Sequence, residues 1–324
     1  MTTVSGITPS GRLTLGNHLG ALRRFADDPE GFYFVADLHA MTMPHDGSRL
    51  RELTRETAML MLAAGVRPGR VFLQSEVPAH AQLAYLLECT ASVGELSRMI
   101  QFKEKSARTG DRSVRASLFT YPCLMAADIL LYGARTVPVG GDQDQHVELT
   151  RDLAVRFNRE HGEVFVVPEL HRAALAARVA DLADPTRKMS KSAPDAAMGV
   201  VRMLDTPEVV RRKVMRAVTD TDGTVRHDPV AKPGVSNLLE LLAACTGGEP
   251  AALAAGYTSY GALKADVADA VVASLEPVQQ RYAALVADPA AVREALDLGA
   301  CRARDRAEPR LAAAMAAVGL GHVA

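Results

Sequence analysis

Along the first 170 residues, short apolar runs rich in β-branched and aromatic residues alternate with longer stretches of helical periodicity. A short apolar lead from Val4, then GFYFVADLHA (31–40), VFLQSEV (71–77), TVPVG (136–140) and EVFVVP (163–168), predict buried strands. The segments 48–64, 78–89, 121–131 and 143–158 predict helices, with Ser48 and Asp142 as N-caps and Pro78 in a first turn. That alternation is the signature of a parallel sheet covered by helices, in which ligands bind beyond the carboxyl ends of the strands. After a loop centred on DPTRKMSKSAPD (184–195) strand signals nearly vanish, and a domain boundary is expected near residue 185. Thr206-Pro207-Glu208 supplies a cap, a first-turn proline and an early acid for a helix to about Val218. Further helices are expected over 236–246, 262–275, 276–286, 290–299 and 309–318. The fold class that follows is α/β, a Rossmann-like parallel sheet with a C-terminal all-helical domain.

Composition narrows the class without changing it. With 324 residues, 48% hydrophobic and 23% charged, and a net charge of −1, the chain is globular, and any nucleic-acid contact must come from a local basic surface. The cysteines Cys89, Cys123, Cys245 and Cys301 form no CxxC pair, so neither a zinc site nor a disulfide framework is expected. No basic n-region precedes an apolar run and no long apolar stretch occurs, which predicts a cytoplasmic protein with no membrane contact. Tryptophan is absent, and thirty arginines accompany only seven lysines. The positions of those lysines therefore carry information.

Two segments carry phosphate chemistry. In VSGITPSGRLTLGNHLGAL (4–22), Gly6 and Gly11 flank a Pro9-Ser10 turn, and Thr14-Leu15-Gly16-Asn17 opens a helix. Glycine lets a backbone approach a ligand closely, and the first amides of a helix point donors at an anion. A tight β-to-α turn with helix-packing glycines is the alternative. The second segment, Lys188-Met189-Ser190-Lys191-Ser192, places two of the seven lysines within four residues, able to close over a triphosphate as pyrophosphate leaves. A solvated basic linker is the bland alternative. Lys105, in QFKEKS (101–106), is a third candidate cation or an exposed helix face.

Together these residues resemble class I aminoacyl-tRNA synthetases: TLGN (14–17) looks like a variant of the HIGH signature, and KMSKS (188–192) is the second signature unchanged. LQSEVPAHAQ (73–82), GELSRMIQFKEKSA (94–107), TYPCLMAADILLY (120–132), VPVGGDQDQHVELTRDLAVRFN (137–158), AVTDTDGTVR (217–226) and KPGVSNLLE (232–240) narrow the likeness to the bacterial tryptophanyl-tRNA synthetases, collinearly over essentially the whole chain. The resemblance implies tryptophan–tRNA ligase activity: tryptophan and ATP give tryptophanyl-adenylate and pyrophosphate, and the aminoacyl group then passes to the 3′-terminal ribose of tRNA(Trp). Mg²⁺ accompanies the triphosphate and no protein-bound structural metal is implied. It also implies a homodimer, a catalytic domain over 1–184 whose connecting insertion forms the dimer interface, and the KMSKS loop with a helical anticodon-binding domain over 185–324, the last helices packing back on the first domain.

By the same resemblance, tryptophan lies against Val4, Gly6, His39, Tyr121, Met125, Asp128, Val137, Val139 and Gln143, with Asp128 accepting from the indole N–H. Tyr121, Met125 and Asp128 stand at i, i+4 and i+7, one face of a helix, a spacing equally suited to a core face with a buried acid. ATP is held by Thr8, Pro9, Ser10, Thr14, Gly16, Asn17, Gly140, Gly141, Asp142, Val179 and the loop Lys188, Met189, Ser190, Lys191 and Ser192. The groups acting in catalysis are Lys188, Ser190, Lys191, Lys105 and Asn17. Three positions depart from the family pattern: Thr8 where glutamine is common, Val4 where phenylalanine is common, and Gly141 where glutamate is usual. Arg211, Arg212, Lys213 and Arg216 share a predicted helix, read as a solvated face with RNA contact as the alternative. Two other readings keep the fold and change the role: an auxiliary, inhibitor-resistant synthetase, or a non-aminoacylating synthetase-like binding protein.

Overall fold

The structure, a computed structural model, describes residues 2–100, 102–103, 114–138, 144–171 and 179–321. Strands β1 (Val4–Ile7), β2 (Phe32–Val35) and β3 (Val71–Leu73) pair in parallel, with Val4 opposite Phe32 and Tyr33 opposite Val71. β4 (Thr136–Pro138) and β5 (Glu169–His171) form a second parallel pair. Ile7, Val35 and Leu73 thus end at the same edge of their sheet, and the segments that follow them converge there.

Two of the expected strands are shorter than their apolar runs. The chain turns after Val35 into the helical turn α3 (Asp37–Ala40), and after Leu73 into a 3₁₀ turn, Gln74–Glu76. Asp37 ties the two turns together, accepting from the Ser75 amide at 3.0 Å and from its hydroxyl at 2.5 Å. His39 therefore projects from a helical turn rather than from a strand end. The run 163–168 is not a strand. Asn158 satisfies its backbone instead, accepting from Val164 N and Phe165 N at 3.0 and 2.9 Å and donating to Phe165 O at 2.8 Å. Pairing begins only at Glu169.

The glycine-rich segment leads into α1 (Leu15–Asn17), a π-helical turn at His18–Leu22 and α2 (Arg23–Asp27). Helix α4 (Gly47–Ala63) is capped by Asp46, not Ser48: the Asp46 carboxylate accepts from Arg49 N at 2.8 Å, and the Ser48 hydroxyl donates to it. α5 (Ala79–Thr90), α6 (Val93–Ser97), α7 (Ala116–Leu130) and α8 (Asp144–His161) follow, α7 beginning five residues before the expected start at Tyr121. Past the loop come α9 (Pro207–Met215), α10 (Pro233–Thr246), α11 (Pro250–Ala254), α12 (Tyr260–Ala287) and α13 (Pro289–Ala317). α12 and α13 each run through a proline, Pro277 and Pro309, where the sequence pattern predicts two helices. Buried Leu275 and Val278 flank Pro277, so packing on both sides holds the axis through the missing hydrogen bond.

Alternation along the strands sends side chains to two cores. Tyr33 and Val35 join a cluster with Leu15, Met61, Val200, Leu238 and Leu275, while Val4, Phe34 and Phe72 join another with Leu83, Ala127, Phe157 and Ala303. The helices after residue 185 contribute to both faces. α13 approaches β3 so closely that a Cβ on Gly299 would stand 1.9 Å from the Val71 carbonyl oxygen.

His18, directly after the TLGN segment, is buried against α12, with Nε2 3.3 Å from the Ser274 hydroxyl. Burial lowers its pKa from 6.5 to about 4, and the cations Arg23 and Arg281 push the same way. Between those two values the unfolded chain takes up a proton that the folded chain refuses, so stability falls as pH drops from about 6.5 and levels off below about 4. Relative to His18→Gln, the native chain should lose ~2 kcal/mol between pH 7 and pH 4, read as a difference in thermal midpoints. An unchanged difference across that window would refute the assignment.

Candidate active site

Beyond the ends of β1 and β2 lie two loops in direct contact. Asn17 accepts from Thr14 N at 3.0 Å and from Thr14 Oγ1 at 3.1 Å, which fixes the start of α1 and leaves its amide nitrogen to donate elsewhere. A Cβ on Gly16 would rest 3.4 Å from Val179, so the helix start and the strand-like segment at 179 form adjoining walls. From Val179 the chain runs as a narrow hairpin into the lysine loop: Ala180 bridges Lys188, and Met189 N donates to Val179 O at 3.0 Å. Met189 is the buried anchor of this loop, whereas Lys188, Ser190 and Ser192 are exposed. Thr8, Pro9 and Ser10 face it, Ser10 N closing their turn on Thr8 O at 2.9 Å.

The loop is shut against the glycine-rich segment. Lys191 Nζ donates to Thr8 O at 2.5 Å, and burial together with the nearby Lys188 lowers its pKa to about 8. An ideal Cβ on Gly11 would lie 2.0 Å from the Lys191 carbonyl oxygen, so this closure requires a residue without a side chain at position 11. Lys191 thus lies against the glycine-rich segment, with the exposed Lys188 three residues before it in the same loop.

The second half of the site is built around Asp128, 4% exposed on α7. Its Oδ1 accepts from Gln74 Nε2 at 2.7 Å and from His80 Nδ1 at 2.6 Å, and its Oδ2 lies 2.8 Å from His39 Nε2. Burial alone would raise the carboxyl pKa, but His39 and His80 outweigh it and hold the group below its ordinary value. Since the carboxylate only accepts, His80 carries its proton on Nδ1, and in the neutral ring its Nε2 accepts from the Tyr132 hydroxyl at 2.9 Å. Oδ1 has thus filled both lone pairs, while Oδ2 meets only His39 among the described residues and keeps one acceptor position. Tyr121, on the same face of α7, places its hydroxyl 2.6 Å from His146 Nε2 and its ring edge-on to His39. Met125, half-buried, completes that face. Phe34, whose ring packs 5.5 Å from that of His80, also lies over Gly6: a Cβ there would fall 2.5 Å from it. Val4 is buried in the same cluster.

The expected site residues therefore assemble in two groups at one edge of the sheet. Val137 lies in β4, opposite Leu170. Lys105, Val139, Gly140, Gly141, Asp142 and Gln143 lie outside the described residues. Gln74, His80, Tyr132 and His146 were missed by the sequence reading; the signal available for His80 was its place inside the VPAHAQ block, one of only nine histidines. The basic helix needs correction. Lys213 is buried, donating to Val200 O and Asp205 at 2.7 Å each, whereas Arg211, paired with Asp269 at the surface, Arg212 and the C-cap residue Arg216 are exposed as expected.

The family described as tRNA synthetases class I (W and Y) matches residues 1–276, most of the chain. The chain belongs to this family. Among class I synthetases of this W and Y type, it is 57% identical to tryptophan–tRNA ligase 1 of Streptomyces avermitilis, over 98% of both chains. It is 49% identical to tryptophan–tRNA ligase of Listeria monocytogenes, over 98% of this chain and 97% of the relative. In structure it resembles tryptophanyl-tRNA synthetase from Mycoplasma pneumoniae, with a TM-score of 0.89 and 34% identity over 99% of this chain and 98% of that one. The synthetase from Campylobacter jejuni, solved with ADP and tryptophan, matches with a TM-score of 0.81 and 31% identity over 99% of this chain and all of its own.

Proposed function

We propose that the protein is a tryptophan–tRNA ligase. The observation that carries this reading is the ionised, nearly buried Asp128 carboxylate with one acceptor position left, on the face shared with Tyr121 and Met125. An indole N–H fills that position; a side chain without an N–H leaves it unpaired at a cost. Val4, Gly6, His39, Val137, Val139 and Gln143 complete the amino-acid site. ATP lies between the Thr8, Pro9 and Ser10 turn, Thr14, Gly16 and Asn17, the Gly140–Asp142 segment, Val179 and the loop from Lys188 to Ser192. It enters as its Mg²⁺ complex, with the metal carried by the triphosphate.

The chemistry asks for positioning and charge. The tryptophan carboxylate is already ionised and attacks the α-phosphorus in line without a general base, while the bond to the bridging oxygen breaks and pyrophosphate leaves. Lys188 and Lys191, with Lys105, take up the charge that develops on pyrophosphate; Lys191 exchanges its Thr8 carbonyl for a phosphate oxygen, and that anion restores its pKa. A 3′-terminal ribose hydroxyl of tRNA(Trp) then displaces AMP from the adenylate. The helices after residue 185 meet the tRNA, with Arg211 and Arg212 exposed on α9 and Arg216 exposed at its C-terminal end. The chain acts in the cytoplasm, and no described helix is long and apolar enough to cross a membrane. Tyr85 and Val93, 65% and 74% exposed on the neighbouring α5 and α6, fit burial in a homodimer, which sedimentation equilibrium tests.

Tryptophan-dependent exchange of pyrophosphate into ATP is the deciding measurement. The protein should support it with tryptophan and Mg²⁺, and charge tRNA(Trp) in turn. If neither tryptophan nor tyrosine supports exchange, the enzymatic reading is wrong; exchange without charging would identify a synthetase-like binding protein.

A further inference from the structure

Arg202 is 5% exposed and lies between the lysine loop and α9. Its backbone is fixed to the start of α1: residues 14 and 202 form an antiparallel bridge, Leu15 N donates to Val201 O at 2.9 Å, and Met203 N donates to Leu13 O at 3.0 Å. Asp205 Oδ2, itself held by buried Lys213, accepts from Arg202 N at 2.8 Å. The guanidinium is thus mounted on a rigid base.

Its donors reach outward to the glycine-rich segment and to the lysine loop. Nη1 donates to Arg12 O at 2.9 Å and to Lys191 O at 3.0 Å, while Nη2 donates to Ala193 O at 2.5 Å and to Pro194 O at 3.3 Å. Nε has no partner, and among the described residues the group forms no ion pair with a carboxylate. A nearly buried guanidinium usually faces an acid in a two-pronged pair. This one is spent on four backbone carbonyls, one directly after Gly11 and three in the stretch that begins at Lys191.

We propose that Arg202 is a positioning residue for adenylate formation: it locks the backbone of the lysine loop against the glycine-rich segment, so that Lys191 can release the Thr8 carbonyl and swing to phosphate while its own main chain stays in place. A planar fork with several fixed donors suits this task. A lysine carries the charge but reaches fewer of the four carbonyls at once. Because the clamp touches the loop and not the Asp128 group, it acts on the transition state for pyrophosphate departure rather than on tryptophan binding.

The inference rests on the ligase reading, and two readouts separate the failure of one from the failure of the other. In Arg202→Met, kcat for exchange should fall ~30-fold with tryptophan affinity, measured by fluorescence titration, within about twofold of native. Trypsin should cut the ligand-free variant after Lys188 and Lys191 about tenfold faster than the native protein, a measure of loop opening that needs no activity. Arg202→Lys should fall between the two, and it carries both measurements if Arg202→Met does not fold. Native kcat and cleavage rates in the variants would overturn the proposal, as would tryptophan affinity falling in step with kcat. A native protein that performs no exchange overturns the ligase reading, and the cleavage rates then decide the clamp alone.

Discussion

Replacing Asp128 by asparagine should lower kcat/KM for tryptophan in the exchange reaction by about 10³-fold while leaving a folded protein. The carboxylate serves three donors, Gln74, His80 and His39, with a lone pair to spare. An asparagine offers one acceptor oxygen and turns an NH₂ toward a donor, so at least one of these contacts becomes donor against donor. The charge that favours a substrate N–H disappears as well. Exchange kinetics at varied tryptophan, alongside a thermal midpoint, check the expectation. Native kcat/KM would remove Asp128 from the amino-acid site, whereas a large loss of midpoint with native kinetics would make it a structural acid.

A second large effect is expected from Gly11→Ala. The added methyl would stand 2.0 Å from the Lys191 carbonyl oxygen and 2.8 Å from its carbon, positions that no side-chain rotation can relieve. The loop must back away, and a shift of about 1 Å at a reacting group can cost ~10²-fold in rate. The exchange kcat should fall by about that factor. Tryptophan binding should persist, because the Asp128 cluster lies apart from this contact. The chain contains no tryptophan, so the bound amino acid is its only indole emitter and a fluorescence titration reads the pocket directly. A variant with native kcat would show that the closed contact between Gly11 and Lys191 plays no part in turnover.

The sheet and the two signature loops were legible because they rest on local rules. Apolar runs gave β1, β2 and β3, glycines and helix starts gave the anion-facing turn, and the scarcity of lysine singled out 188 and 191. What was not legible depended on partners distant in sequence. The run 163–168 has the composition of a strand, but its backbone is satisfied by the side chain of Asn158. The prolines at 277 and 309 look like helix ends, yet tertiary packing carries α12 and α13 through them. Lys213, Lys232 and Lys264 show the same effect. Spacing places Lys213 on a charged face, whereas the structure buries it against Asp205, sets Lys232 among Asp220, Asp222 and Tyr260, and turns Lys264 to the Ala217 carbonyl. In the site, the carboxylate was found through resemblance, but the Gln74 and His80 pair behind it has no short-range spacing to reveal it. Arg202, one arginine among thirty, carries no compositional signal at all.

The contact between α13 and β3 also bears on how the protein is made. Arg304 of α13 donates to the Glu76 carbonyl across 228 residues of sequence, and Gly299 lies directly on the backbone of Val71. The sheet is translated well before one of its packing partners, since β3 ends at Leu73 and α13 begins at Pro289. Phe72, fully enclosed in the finished fold, waits uncovered on that side until then. A nascent chain stalled before α13 would consequently expose apolar sheet surface, and chaperone demand in the cell should be set by the time needed to synthesise the C-terminal helices.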